Sequence, residues 1–540
     1  MKLFNRKIMS RGDWDGFFAF GMDAMLAFLL MGTLLTGFLG FPAEMVYTRI
    51  LPAAAMGLLV GNGFYAWQAV KLARREGRDD VCAIPFGTST LTLIVIVILV
   101  MYPVKQQALA GGMDAETANI LAWHVGLLAG AFTGFIEFAG SFVVYQLRRI
   151  VPRPVMLVAI AGTGISFLTM NYAVHTFGTP LVGFVTLSMV IVFFFSNVKL
   201  RGGIPGGFVI VAVGTALAWM MHGLDIAHLV PGPPIDTSFF GLNLPRPEAQ
   251  NVWSAIPQVI PYLPLIAPFG FIFLIGSLQN IEAAAAAGDS YEPQPLLIAN
   301  GISSLIAAAF GSPFPTSIFV GHPGYKRIGA RTGYTLVNSL MWTVVCFTGT
   351  LSLFTFAIPV EAVMALIVWI GLVVFAQNFE ITDKRHYQAL AMGLLPAIAA
   401  FATQVVRNVL SAAGAAAGTD FMTRDFALKV AASKSFHLEG LYALGEGYLY
   451  SSMILCAITL HAIDHQFRRA AGWALGGAAL SALGLIHSIR YANGDILTDL
   501  HVPVPQFNTF VAGYLGMAVV LALTPFLTER AVVAEAVPAE

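Results

Sequence analysis

Charge is what this sequence has least of. Only 11% of its 540 residues are Asp, Glu, Lys or Arg, 57% are hydrophobic, and the mean hydropathy is +0.76. Soluble domains carry about 25% charged residues, so that class is excluded and a polytopic membrane protein remains. Cysteine is scarcer still. Cys82, Cys346 and Cys456 lie far apart, each within or beside an apolar run, which leaves neither a disulfide framework nor a metal spacing. A nucleophile elbow, a phosphate loop and a metal constellation are missing too, so neither enzyme activity nor a cofactor or metal is expected. The net charge of zero says little about partners, and no nucleic acid is expected among them.

What is there is a series of apolar runs about 20 residues long, enough to cross a hydrocarbon core of roughly 30 Å as helices. A barrel would instead alternate over strands of about 10 residues. The basic stretch Met1 to Arg11 runs through Asp13 and Asp15 straight into the first span, without a cleavable signal. Spans are predicted near 16–38, 50–72, 84–102, 119–147, 153–173, 180–197 and 204–222. A Pro-rich stretch, 223–258, divides these from a second set near 261–282, 294–309, 316–330, 332–353, 358–378, 387–407 and 442–464. Two weaker runs follow, at 470–489 and 507–527. The stretch 408–441 is read as short and featureless. Placing the N-terminus in the cytoplasm gathers most of the Lys and Arg residues on the inner loops, and seven spans per set would invert the second set relative to the first.

Two passages interrupt this pattern. Pro85-Phe86-Gly87-Thr88-Ser89 and Pro313-Phe314-Pro315-Thr316-Ser317 share the string Pro-Phe-x-Thr-Ser, and each breaks the third apolar segment of its set. Proline removes a backbone donor and blocks the preceding helical turn. Lipid cannot satisfy the groups left over, so such a break is tolerated only where it is buried in protein or lines a polar cavity, as in transporters. The pair is read as an internal repeat or as a chance identity. Its hydroxyls, Thr88, Ser89, Thr316 and Ser317, are candidate solute ligands, and Phe86 and Phe314 could stack on a planar ring or simply fill the crossing.

Ionisable residues inside spans are costly and therefore informative. Gly276, Gln279 and Glu282 recur at three-residue spacing along one side of a helix. Gln279, Asn280 and Glu282 are expected to line the cavity, with Glu282 carrying the coupling proton; the alternative is a packing cluster at the end of the span. Asp23, with Gly16, Phe20 and Ala27 on its side, is a second candidate for proton coupling or a brace between helices. Glu137 follows the ladder Gly126, Gly130, Gly134 and reads as a packing residue. His322 stands where the second break returns to helix, as a solute donor or a structural cap.

The runs Leu297–Ser304, Phe310–Pro313 and Arg331–Tyr334, with Gly61-Asn62-Gly63-Phe64-Tyr65-Ala66-Trp67, Ile84–Thr90 and Ile358-Pro359-Val360, resemble the nucleobase/ascorbate transporter family, which includes xanthine and uracil permeases. The resemblance implies an all-α polytopic membrane protein with a 7+7 inverted-repeat transporter fold and broken third and tenth segments. Its core domain would take 14–150 and 259–356 and its gate domain 151–222 and 357–465, with 223–258 as an external linker and 466–530 as extra C-terminal helices. It implies proton-coupled uptake of a nucleobase or similar heterocycle across the cell membrane, a small-molecule substrate, protons or another coupling ion, and a lipid bilayer as partner, with a homodimer left open. The family's eighth-segment acid falls near Gln279 and its tenth-segment motif near Val320 to His322, and neither position holds an acid here. The alternative is an anion transporter for sulfate, bicarbonate or carboxylates on the same fold. A receptor would need a soluble signalling domain, for which 408–441 and 531–540 are too small.

Overall fold

The structure is a computed structural model that describes residues 10–88, 93, 96–196, 198, 200, 204–224, 236–248, 252–434, 436–492, 495–501 and 504–528. The chain divides into two compact units, Met1–Ile381 and Thr382–Glu540.

In the first unit, α1 (Arg11–Thr33) opens on a capping box. Ser10 Oγ accepts the Asp13 N–H, and Asp13 Oδ2 accepts the Ser10 N–H. There follow α2 (Leu51–Glu76), β1 (Phe86–Thr88), α3 (Ala115–Gly140), α4 (Arg153–Thr163), α5 (Pro180–Val190) and α6 (Gly206–Gly223). The second set begins with α7 (Leu263–Ala286), α8 (Pro293–Ala309), β2 (Thr316–Ile318), α9 (His322–Arg327), α10 (Gly333–Phe347) and α11 (Met364–Glu380). The other oxygen of Asp13, Oδ1, accepts the N–H groups of Arg331, Gly333 and Tyr334 at 2.7, 3.1 and 3.1 Å and so caps α10. Orphan amides at a helix start are thereby paired by an acid from another helix. The first span begins earlier than hydropathy predicts because these two acids are structural; Asp15 Oδ1 accepts the Gly207 N–H at 2.6 Å.

The packing shows the inverted repeat directly. α1 packs on α10 as α7 packs on α3, and α2 packs on α10 as α8 packs on α3, while α2 meets α8 and β1 meets β2. Exchanging α1 with α7, α2 with α8, β1 with β2 and α3 with α10 maps this set of contacts onto itself. β1 and β2 run antiparallel in the register Phe86↔Ile318, Gly87↔Ser317, Thr88↔Thr316. Thr88 and Thr316 occupy the same place in the shared string, so the two-fold relation runs between them. The fold is therefore all-α and polytopic, with segments 1–4 and 8–11 related as an inverted repeat about the broken third and tenth segments, and the recurring string belongs to that repeat.

Glycine makes the crossing possible. A Cβ on Gly130 would lie 2.3 Å from the Pro313 carbonyl oxygen and one on Gly134 would lie 2.7 Å from Ser304 Cβ, so the glycine ladder of α3 admits the second break and α8. A Cβ on Gly61 would fall 1.9 Å from the Phe86 ring. Outside the bundle, part of the long linker caps helix ends. Asn243 and Gly241 donate to Phe347 and Thr348 at 2.7 and 3.2 Å, and Glu248 N–H donates to Ala309 at 2.8 Å.

The second unit holds α12 (Tyr387–Ala417), α13 (Arg424–Lys434), α14 (Leu438–Gly445), α15 (Tyr448–Ile463), α16 (Phe467–Ala482), the antiparallel pair β3 (Ile489–Ala492) and β4 (Asp495–Thr498), and α17 (Thr509–Leu527). Two expectations are corrected here. The stretch 408–441 is not featureless, since α12 runs through Ala417 and α13 and α14 follow. The run 470–489 is a helix only to Ala482 and then turns into β3. The fourteenth segment is bent by 87° between α14 and α15. Gly447, at φ 67, stands at that corner, with the Leu485 carbonyl oxygen 2.1 Å from where a Cβ would be. Among the described residues seven helices are long and apolar enough to cross a membrane, or eight with the bent pair; the spans at 180–195, 333–347 and 364–380 are shorter.

Candidate functional site

At the crossing the broken backbone is satisfied by protein. Phe319 N–H donates to the Pro85 carbonyl at 2.8 Å, and Ala83 N–H donates to Arg331 at 2.6 Å. The Asn62 amide of α2 donates to Phe86 at 2.9 Å, and Trp123 Nε1 donates to Gly311 at 2.8 Å. Ser304 of α8 holds β2, its hydroxyl donating to the Thr316 carbonyl at 3.2 Å and accepting the Thr316 N–H at 3.0 Å. Such pairing is the condition for irregular backbone at membrane depth.

Beside this ladder lies a small, partly open cavity of about 10 Å³, with room for roughly one water molecule. α1 lines it with Phe20, Asp23, Ala24, Ala27, Phe28 and Met31, α2 with Leu58, β1 with Gly87 and Thr88, and the residue after β2 with Phe319. Among the described residues Asp23 is the one acid of that wall, and no Lys or Arg belongs to it. Hydropathy placed Phe20 and Ala27 on the Asp23 side of its helix, and both stand there. Gly16, by contrast, packs on Ala330 and Tyr334. Phe28, Met31, Leu58 and Phe319 carry no mark in the sequence, because an apolar cavity wall and an apolar core share one residue vocabulary.

The other sequence candidates are distributed around the crossing. Thr88 reaches the cavity, and Ser89 lies outside the described residues. Phe86 is fully buried against Gly61 and Tyr65, with ring centroids 4.9 Å apart, and serves as packing. Phe314 is buried, and Thr316 Oγ1 lies 3.1 Å from Ser304 Oγ, turned toward α8. Asn280 donates to the Ile318 carbonyl at 3.0 Å, which ties α7 to the end of β2, and Gln279 is fully buried on the same helix. A Cβ on Gly276 would meet nothing within 4 Å among the described residues. Glu282 is buried with Oε2 3.3 Å from Arg153 Nε of α4, and it does not line the cavity.

His322 belongs to a separate cluster at the loop ends. Its Nε2 lies 3.1 Å from the Cys82 carbonyl oxygen and 3.3 Å from Asp289 Oδ2. Asp289 Oδ1 also takes Arg78 at 2.8 Å and Lys326 at 2.5 Å, and Oδ2 accepts the Cys82 N–H at 3.0 Å. Burial raises the Asp289 carboxyl, but the His322 and Lys326 side chains and the Cys82 amide outweigh it and hold the group down at about 2. The cluster joins the loop before β1, the loop after α7 and α9. The structure places His322 in this cluster and not in the cavity wall.

Sequence reasoning passed over the network behind β2. Glu137 Oε1 accepts from Ser277 Oγ at 3.3 Å and from Asn300 Nδ2 at 2.9 Å, and Ser277 Oγ lies 3.3 Å from Ser317 Oγ. The glycine ladder of α3 was legible; the fact that it delivers a carboxyl to α7 and α8 was not.

No family model matches the chain, and no curated protein matches it. Among solved structures it is similar to the transmembrane domain of a cyanobacterium bicarbonate transporter, BicA, at 15% identity over 72% of this chain and 94% of that one, with a TM-score of 0.40. It is also similar to SLC26A9 (14% identity, 72% and 62% covered, TM-score 0.42) and to the murine Slc26a9 anion transporter in its inward-facing state (13%, 72% and 64%, TM-score 0.44). The chain spans just under two thirds of each SLC26A9 chain.

Proposed function

We propose that this chain is a proton-coupled secondary transporter that carries a small polar solute through the cavity beside the β1–β2 crossing. One observation carries the reading: Asp23, the lone carboxyl of the cavity wall among the described residues, shares that wall with Gly87 and Thr88 of β1 and with Phe319 after β2. A carboxylate at membrane depth calls for a proton or a cation as company. With no Lys or Arg among the described residues of the cavity wall, the coupling ion supplies it. Asp23 then binds the proton, Thr88 and Ser317 offer hydroxyls to the solute, and Glu282 with Arg153 holds α7 against α4.

Two solute classes suit this arrangement. A small oxyanion or carboxylate comes first, because Gln279 and the stretch Val320 to His322 hold no acid where the nucleobase resemblance would place one. A proton on Asp23 also removes the charge that would repel an anion. A nucleobase such as xanthine or uracil comes second, favoured by the rings of Phe20, Phe28 and Phe319 around the cavity, which suit a flat heterocycle. Segments 1–4 and 8–11 are read as the core and segments 5–7 and 12–14 as the gate, in a multi-pass cell-membrane protein whose N-terminus is cytoplasmic. The test is uptake of labelled sulfate, bicarbonate, a dicarboxylate, uracil and xanthine into proteoliposomes with and without an inward proton gradient. Gradient-dependent accumulation of one class supports the reading, and accumulation of none of them overturns it.

A further inference from the structure

Glu137 is fully buried, and none of the described cations pairs with it. It sits at the head of an unbroken hydrogen-bonded line from α3 through Ser277 of α7 to Ser317 of β2, with Asn300 of α8 donating to both Glu137 Oε1 and Ser277 Oγ at 2.9 and 3.0 Å. Its second oxygen, Oε2, has no hydrogen-bond partner. Ser317 stands at the other end of the line. It pairs with Gly87 and shares a strand face with Phe319, two residues of the cavity wall, and it is only partly buried.

We infer that Glu137 is a positioning residue whose proton occupancy sets, through Ser277, whether the Ser317 hydroxyl donates or accepts at the crossing; this rests on the crossing being the solute site. The donor inventory dictates the logic. An ionised Glu137 can only accept, so Ser277 spends its hydroxyl hydrogen on Oε1. The Ser277 oxygen then takes the hydrogen of Ser317, and Ser317 presents lone pairs to the cavity. With a proton on Oε1, Glu137 donates to Ser277, Ser277 donates to Ser317, and the Ser317 hydrogen is released toward the cavity. Proton binding behind the strand thus turns an acceptor into a donor in front of it, which suits an anion, without Glu137 touching the solute.

The groups that face Glu137 do not compete for this role. Tyr65 approaches from α2 and donates to the Leu296 carbonyl at 2.8 Å. α7 brings only Glu282, which is held by Arg153, and α8 has no ionisable residue. The helix Tyr102–Ala110, which also packs on α3, brings Tyr102 and Lys105, and Lys105 donates to the Leu39 carbonyl.

Infrared difference spectra across a pH titration of the purified full-length protein test the inference without any solute. A titrating carboxyl C=O band that vanishes in Glu137→Gln is expected. Its midpoint should move by about half a pH unit, a threefold change in proton affinity, in Ser277→Ala and in Ser317→Ala, but not in Ser303→Ala. A midpoint that is the same in wild type and Ser317→Ala overturns the inference, as does the absence of a titrating band assignable to Glu137. The two serine variants stand even if Glu137→Gln fails to fold. Sulfate and uracil are then added as probes in thermal-shift assays. If neither stabilises any variant while the infrared shift is present, the solute reading fails and the hydrogen-bond line survives.

Discussion

Ser304 Oγ lies 3.1 Å from Thr316 Oγ1 and 3.0 Å from the Thr316 backbone nitrogen, so a single hydroxyl of α8 holds both the side chain and the main chain of β2. Ser304→Ala leaves a buried N–H without its partner, at a cost of about 1–3 kcal/mol. The expected result is a lower melting temperature in detergent, with Ser303→Ala, equally buried on the same helix, as the milder control.

Asp23→Asn keeps the shape of the cavity wall and removes its exchangeable proton. Accumulation driven by a proton gradient should disappear while solute exchange between equal concentrations persists. Proteoliposome flux under both conditions separates the two, and wild-type accumulation in the variant would take Asp23 out of the coupling step.

Glu282→Gln should behave differently. Its partner Arg153 is 43% exposed and can return to water, so the loss is a weakened tie between α7 and α4 costing about 1 kcal/mol. Coupled accumulation should survive at a reduced level of folded protein. Loss of coupling with a normal melting temperature would instead make Glu282 the proton carrier.

The loop-end cluster predicts an acid limb of stability. The Asp289 carboxyl titrates at about 2 in the folded protein against an ordinary 3.8. Because the folded value is the lower one, the contribution is fully present above about pH 4 and is lost as pH falls through about 2. It amounts to about 2 kcal/mol. Melting temperature should drop between those limits in wild type and drop less in Asp289→Asn, which starts lower.

Gly130→Ala sets a methyl 2.3 Å from the Pro313 carbonyl oxygen, where backbone meets backbone. Neither side can yield cheaply, so the variant should lose about 1–3 kcal/mol or fail to assemble the crossing. Folded yield by size-exclusion chromatography reads this out.

Prolines told most of the fold story. Pro85, Pro313 and Pro315 marked the two breaks, and the breaks do meet. Asp23 was legible because a lone acid in an apolar run has few alternatives. What hydropathy could not convey is tertiary pairing. Glu137, Ser277, Asn300 and Ser317 come from four separate elements, and only the glycine-permitted approach of α3 to α8 brings them into line. From its place after the break His322 could be a solute donor or a structural cap; Asp289, distant in sequence, lies 3.3 Å from it in the loop-end cluster, a contact that hydropathy does not convey. The helix beyond position 408 was missed because Ala-rich sequence such as Ala412–Ala417 is weakly apolar but still a good helix former.

Thr88 and Thr316 face each other across the symmetry axis of the repeat, and the ladder through them leaves no seam between the halves that carry it. Separating β1 from β2 would strand peptide groups where no water can replace their partners. On the proposed transport reading, the joint stays shut as a fixed keel and the moving helices swing around it.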